Sequence, residues 1–88
     1  MNTRKLEKIA RGFGNHRRIQ LLEFLNYNPD QSVIETAEAL RVNFKTISEH
    51  LRRLALAGLV IKHNHGSEVE HALSPLGRNV LKFLRTLE

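Results

Sequence analysis

The chain has 88 residues, enough for one domain with a modest hydrophobic core. Fourteen lysines and arginines against nine acidic residues give a net charge of +5, which attracts phosphates and makes such binding salt-dependent. Cysteine is absent, which excludes disulfides, thiolate zinc sites and a cysteine nucleophile; no run approaches the roughly 18 apolar residues of a membrane span, and the charged stretch Met1 to Lys8 lacks an export-signal core, so the expected location is the cytoplasm.

Taken in chain order, the first predicted helix runs from Thr3 to Phe13, with Leu6, Ile9, Ala10 and Phe13 at helical spacing. Gly12 and Gly14 break it, and basic residues crowd this end of the chain (Arg4, Lys5, Lys8, Arg11, Arg17 and Arg18). Asn15 is suited to cap a second helix that carries Ile19, Leu22 and Leu25 on one face. That helix ends before Asn28-Pro29, because proline disfavours helical geometry in the residue ahead of it. Ser32-Val33-Ile34-Glu35 has the form of a capping box and opens a short third helix ending near Leu40. After the tight turn Arg41-Val42-Asn43, Asn43 can cap a fourth helix, Phe44 to Ala57, with Ile47, Leu51 and Leu54 as its apolar positions; Gly58 stops it. Leu59–His65 and Glu68–Leu73 read as two strands around a Gly66-Ser67 turn. Ser74-Pro75 then launches a last helix, residues 75–87, with Leu76, Val80, Phe83, Leu84 and Leu87 as an apolar stripe. There is no internal repeat, low-complexity run or linker.

Two strands cannot make a core alone, so helices must cover them. The order therefore describes a mainly α fold with a small β-hairpin, a winged helix-turn-helix. One domain is expected over residues 1–88: a helix-turn-helix at 33–57, a wing at 59–73 and a C-terminal helix at 75–87. Ala37, Leu40, Val42, Ile47, Leu51 and Leu54 let two short helices pack across the turn. This leaves the outer face of the second free to enter a DNA major groove. The candidate DNA-binding residues there are Phe44, Lys45, Thr46, Ser48, Glu49 and Arg52, flanked by Arg41 and Arg53. Lys45 and Arg52 can donate to guanine, Thr46 and Ser48 can serve either partner, Glu49 can accept from cytosine, and Phe44 can touch a thymine methyl. An ordinary helical hairpin with a solvated polar face shows the same periodicity.

The run Gly12-Phe13-Gly14-Asn15-His16-Arg17-Arg18-Ile19-Gln20-Leu21-Leu22-Glu23 resembles the opening of the arsenical-repressor (ArsR-like) family. Ala37-Glu38-Ala39-Leu40 with Thr46-Ile47-Ser48-Glu49-His50-Leu51-Arg52-Arg53-Leu54 is similar to that family's helix-turn-helix, and Ala57-Gly58-Leu59-Val60 to its entry into the wing. The resemblance implies a homodimeric transcriptional regulator, by type a repressor, with one recognition helix per operator half-site. It places the first and last helices at the dimer interface. The last helix is also apolar around more of its circumference than one small core needs. The candidate interface residues are Leu6, Ile9, Phe13, Val80, Phe83, Leu84 and Leu87. The departures are Asn15-His16 in place of the usual Asp-Pro, and Arg41 where glycine is common. Arg41 must avoid positive φ or accept the strain. The metal-sensing cysteines of the third helix and the histidine and acidic ligands of the last helix have no counterparts in Ser32–Thr36 or Leu76–Leu87.

His63, His65 and His71 fall in the wing. With Gly66-Ser67 as the turn, His65 lies opposite Glu68 and His63 opposite Glu70, all four on one face. Such a set can hold zinc or nickel, but an exposed hairpin tip rarely enforces ligand geometry, so cross-strand pairing is the expected role and no metal or cofactor is expected. His16 and His50 read as a capping-region and a phosphate-side residue. Glu68 and Glu70 would repel phosphates, which makes the wing the lesser DNA contact. No spacing implies a catalytic arrangement or a phosphate-cradling glycine loop, so an enzyme is not expected. The expected partners are double-stranded DNA and a second copy of the chain. The alternative is a winged helix used for protein or RNA contacts, and no effector site is legible.

Overall fold

The protein is described by a computed structural model covering residues 1–88. Helix α1 spans Thr3–Phe13 and α2 His16–Tyr27; strand β1 (Gln31–Ser32) leads into α3 (Val33–Leu40), then α4 (Phe44–Leu56), β2 (Val60–His65), β3 (Glu68–Leu73) and α5 (Pro75–Arg85). No helix is long and apolar enough to cross a membrane.

Local chemistry sets most of these boundaries. Asn15 Oδ1 accepts from the amides of Arg17 and Arg18 at 2.9 and 3.2 Å, and Asn43 Oδ1 from Lys45 at 2.8 Å. Each cap satisfies amides that the first helical turn leaves without partners. The capping box at Ser32 is complete: Ser32 Oγ accepts from the Glu35 amide at 3.1 Å, and Glu35 Oε1 accepts from the Ser32 amide at 3.0 Å. Those bonds from Ser32 hold the Glu35 carboxyl below its ordinary range.

The core sits where α2, α3, α4 and α5 close over the sheet. It is built from Leu21, Leu22 and Leu25 of α2, Ala37 of α3, Ile47, Leu51 and Leu54 of α4, Leu59, Val60 and Leu73 around the strands, and Val80 and Leu81 of α5. The buried face of α2 therefore includes Leu21 rather than Ile19, which the spacing favours but which lies at the surface. Helix α1 packs on α2 and α4, and α5 packs on α2 and β3.

The sheet has three strands in the order β1-β3-β2, all antiparallel. The hairpin has the expected register, His65 opposite Glu68 and His63 opposite Glu70. β1 is absent from the sequence reading because two residues carry no periodicity. It places Gln31 beside His71 and Ser32 beside Glu70, which ties the start of α3 to the wing. The helix limits are shorter than expected by one residue in α4 and by two in α5.

Gly58 follows the end of α4 with φ +79, a left-handed conformation in which glycine has no Cβ to clash. Arg41 adopts the same region without that freedom, at φ 55 and ψ 45. It accepts the strain because its amide bonds to Glu38 O and the Val42 amide to Ala37 O, closing the end of α3. The left-handed conformation costs a non-glycine residue about 1–2 kcal/mol, partly offset by glycine's larger chain entropy when unfolded. Arg41→Gly is therefore expected to stabilise the fold by about 0.5–1 kcal/mol, read as a higher urea midpoint at unchanged slope.

Candidate nucleic-acid interface

Helix α4 is anchored by one face and open on the other. Ile47, Leu51 and Leu54 are fully or almost fully buried. Between them Lys45, Thr46, Glu49, Arg52 and Arg53 point to solvent, and Phe44 stays 50 % exposed at the helix start. Ser48 is half-buried, because it turns toward the wing. Arg41 is exposed in the turn ahead of α4 and borders an open depression of about 320 Å³ with Ile34 and Phe44. Of the eight residues singled out from the sequence, seven are exposed and Ser48 is half-buried.

The side chains on this surface are not independent. Arg52 grips Glu49 through two bonds, Nε to Oε2 at 2.9 Å and Nη2 to Oε1 at 2.7 Å, and Arg53 Nε reaches the same Oε1 at 3.0 Å. The Arg52 hydrogen bond holds the Glu49 carboxyl down to about 2, and Arg52 is raised in turn. Oε1 of Glu49 thus accepts from both arginines and Oε2 from Arg52, a pairing that orients the planar guanidinium of Arg52.

Arg53 leaves the front of α4 and joins Lys8 and Arg11 of α1 around a shallow hollow of about 150 Å³. Nearby, Arg18 Nη1 lies 3.3 Å from His50 Nδ1, and Nη2 donates to Arg11 O at 3.4 Å. Burial, reinforced by Arg18 and Arg17, holds His50 below its ordinary value, so it faces the guanidinium as a neutral acceptor.

Between α4 and the wing lies a cleft of about 260 Å³ lined by Val33, Ser48, Arg52, Lys62, Val69 and His71. His71, read from the sequence as one more wing histidine, is only 3 % exposed, and its Nδ1 is buried without a hydrogen-bond partner. Burial, then Lys62 and His63, depress its proton affinity. Lys62 went unnoticed in the sequence as a single lysine on a strand; only the fold sets it across a cleft from Arg52.

The expected dimer residues divide. Val80 is 9 % exposed and belongs to the core of the single chain. Ile9, Phe13 and Leu84 are half-buried against that same core. Leu6, Phe83 and Leu87 remain well exposed, the last two at 55 % and 66 %. The wing quartet also changes. His63 and Glu70 approach each other, but their third neighbour is Asp30, from the loop after α2, and Glu68 is not among the converging groups.

The profile described as "Bacterial regulatory protein, arsR family" matches residues 15–62, more than half of the chain. The comparison with curated proteins finds no match. Among solved structures, the transcriptional regulator HlyU from Vibrio vulnificus is similar at 30 % identity and a TM-score of 0.78, over 98 % of this chain and 90 % of that one. An ArsR-like transcriptional regulator from Rhodococcus sp. gives 28 % and 0.77, over 97 % and 77 %. The homodimeric winged helix-turn-helix DNA-binding domain of a Mycobacterium bovis protein shares the fold at a TM-score of 0.87 and 21 % identity, over 97 % and 79 %. These relatives are regulators rather than enzymes, and the arrangement of three core helices with a wing after the third is theirs. On that match the chain belongs to the arsR family of bacterial regulatory proteins.

Proposed function

We propose that the chain is a homodimeric repressor in the cytoplasm that binds double-stranded DNA sequence-specifically, with α4 in the major groove. The observation that carries this reading is the outer surface of α4, where Lys45, Thr46 and an Arg52 paired to Glu49 are exposed while the opposite face locks the helix to the core. A preoriented guanidinium loses less entropy on reaching guanine O6 and N7 than a free one. Arg41, Arg53, Lys8, Arg11 and Lys62 flank that helix as phosphate contacts, which position the protein without reading sequence. Dimerisation is supported by Leu6, Phe83 and Leu87, whose apolar surface the single chain leaves uncovered, and by the homodimeric state of the similar Mycobacterium bovis domain.

Selecting bound duplexes from a random pool tests the reading. A dimer is expected to enrich a two-fold symmetric sequence with half-sites about 10 base pairs apart, or a multiple of that. On the selected duplex, Arg52→Ala is expected to weaken binding by about 1–3 kcal/mol and to relax preference at one position in each half-site. Loss that is uniform over all sequences would place Arg52 on phosphate, and no enrichment of any duplex would contradict operator binding.

A further inference from the structure

A second site lies on the face of the sheet that carries His63, away from the cleft lined by His71. Three donors from distant parts of the chain meet there. His63 Nε2 of β2 is 3.2 Å from Asp30 Oδ1 and 3.3 Å from Glu70 Oε1 of β3, and the three ligand atoms all lie within 4.8 Å of one another. His65 Nδ1 stands 3.8 Å from the same Glu70 oxygen, on a side chain free to rotate in solvent. We propose that Asp30, His63 and Glu70, completed by His65, form a binding site for a divalent transition ion of the zinc type.

Three observations carry the assignment. The first is spacing: two donors each about 2.0–2.1 Å from a zinc ion at tetrahedral angles lie about 3.3–3.4 Å apart, close to both distances measured from His63. The second is the count of hydrogens. Nε2 bears at most one, which the two carboxylates would have to share in a weaker three-centre bond, whereas a divalent cation meets both at once and neutralises their charges. The third is the burial of Glu70. Its side chain is only 15 % exposed, and the Asp30 carboxylate lies within 4.8 Å of its own beside the two imidazoles. Two carboxylates held this close favour a cation between them.

The donor set names the class of ion. Imidazole with carboxylate suits zinc or nickel, while magnesium and calcium favour all-oxygen shells. The backbone supports the geometry too: the antiparallel register holds His63 opposite Glu70, and pairing of β1 with β3 carries Asp30 to the sheet edge. The site lies outside the cysteine and last-helix positions discussed above, and it stands whether or not the chain binds DNA.

Zinc titration of the purified full-length chain against a chromophoric chelator tests it. Uptake of about one ion per chain is expected, undisturbed by excess magnesium. His63→Ala, Glu70→Gln and Asp30→Asn are each expected to weaken zinc binding at least tenfold. Asp30→Asn is the informative variant for folding, because asparagine tolerates the positive φ of 61 at that position and lies outside the hairpin. His16→Ala, at the start of α2, is expected to leave the affinity unchanged. Absence of zinc uptake by the unaltered chain, or affinity equal in the three site variants and the unaltered chain, would overturn the proposal. So would loss in His16→Ala with the three site variants unaffected.

Discussion

Gly77→Ala is expected to cost about 3 kcal/mol, the upper end for overpacking, because the new methyl group would meet a backbone oxygen rather than a movable side chain. A Cβ built on Gly77 runs into the carbonyl of Leu59, where α5 crosses the start of the wing, with Leu73 close behind it. The helix cannot back away. Its first turn is fastened by Ser74, whose Oγ accepts from the Gly77 amide at 2.9 Å and donates to Gly58 O at 2.6 Å, while the Ser74 amide donates to Leu59 O at 3.1 Å. One serine thus joins the end of β3, the start of α5 and the turn that closes α4. In a chain of this size, 3 kcal/mol corresponds to a fall in melting temperature of roughly 12–24 °C, measurable by circular dichroism. A shift below a few degrees would mean that α5 sits differently on the wing.

The double variant Phe83→Glu with Leu87→Glu is expected to turn the proposed dimer into a monomer while leaving the chain folded. Both side chains lie outside the core that Val80 and Leu81 complete from the same helix. A carboxylate at either position would stay solvated in the single chain and be buried without a partner between two copies. Sedimentation at micromolar concentration is expected to give twice the 10.1 kDa chain mass for the unaltered protein and the single mass for the variant. Two linked recognition helices bind more tightly than either alone by about 10²–10⁴-fold, so affinity for a two-fold operator is expected to fall within that range. A variant that remains dimeric would move the interface away from α5. A monomer that keeps full operator affinity would separate DNA binding from dimerisation.

The Glu49–Arg52 pair on α4 bears on the reading role proposed for that helix. Lys45, Thr46 and Arg52 can be recognised from the sequence as exposed polar positions, but Glu49 cannot be assigned its role without the rotamers that bring it to Arg52 and Arg53. A pattern of i, i+3 and i+4 charges permits such contacts on any helix. It leaves open whether the carboxylate serves the DNA or the arginines.

Sequence alone determined the features that depend on residues within about four positions of one another. These are the caps at Asn15, Ser32 and Asn43, the Ser74-Pro75 start of α5, the hairpin register around Gly66-Ser67, and the helical periods that sort Ile47, Leu51 and Leu54 inward. From these the helix order, the winged architecture and the outward face of α4 all follow. Only the tertiary structure decided what distant segments do to each other. Pairing of β1 with β3 brought Asp30 to His63, closure of the sheet over α4 buried His71, and packing of α5 turned Val80 into the core. The physical reason is that caps and turns are satisfied by bonds within their own segment. A two-residue strand, a buried imidazole or the inner edge of an all-apolar helix takes its meaning from a partner that sequence spacing does not name.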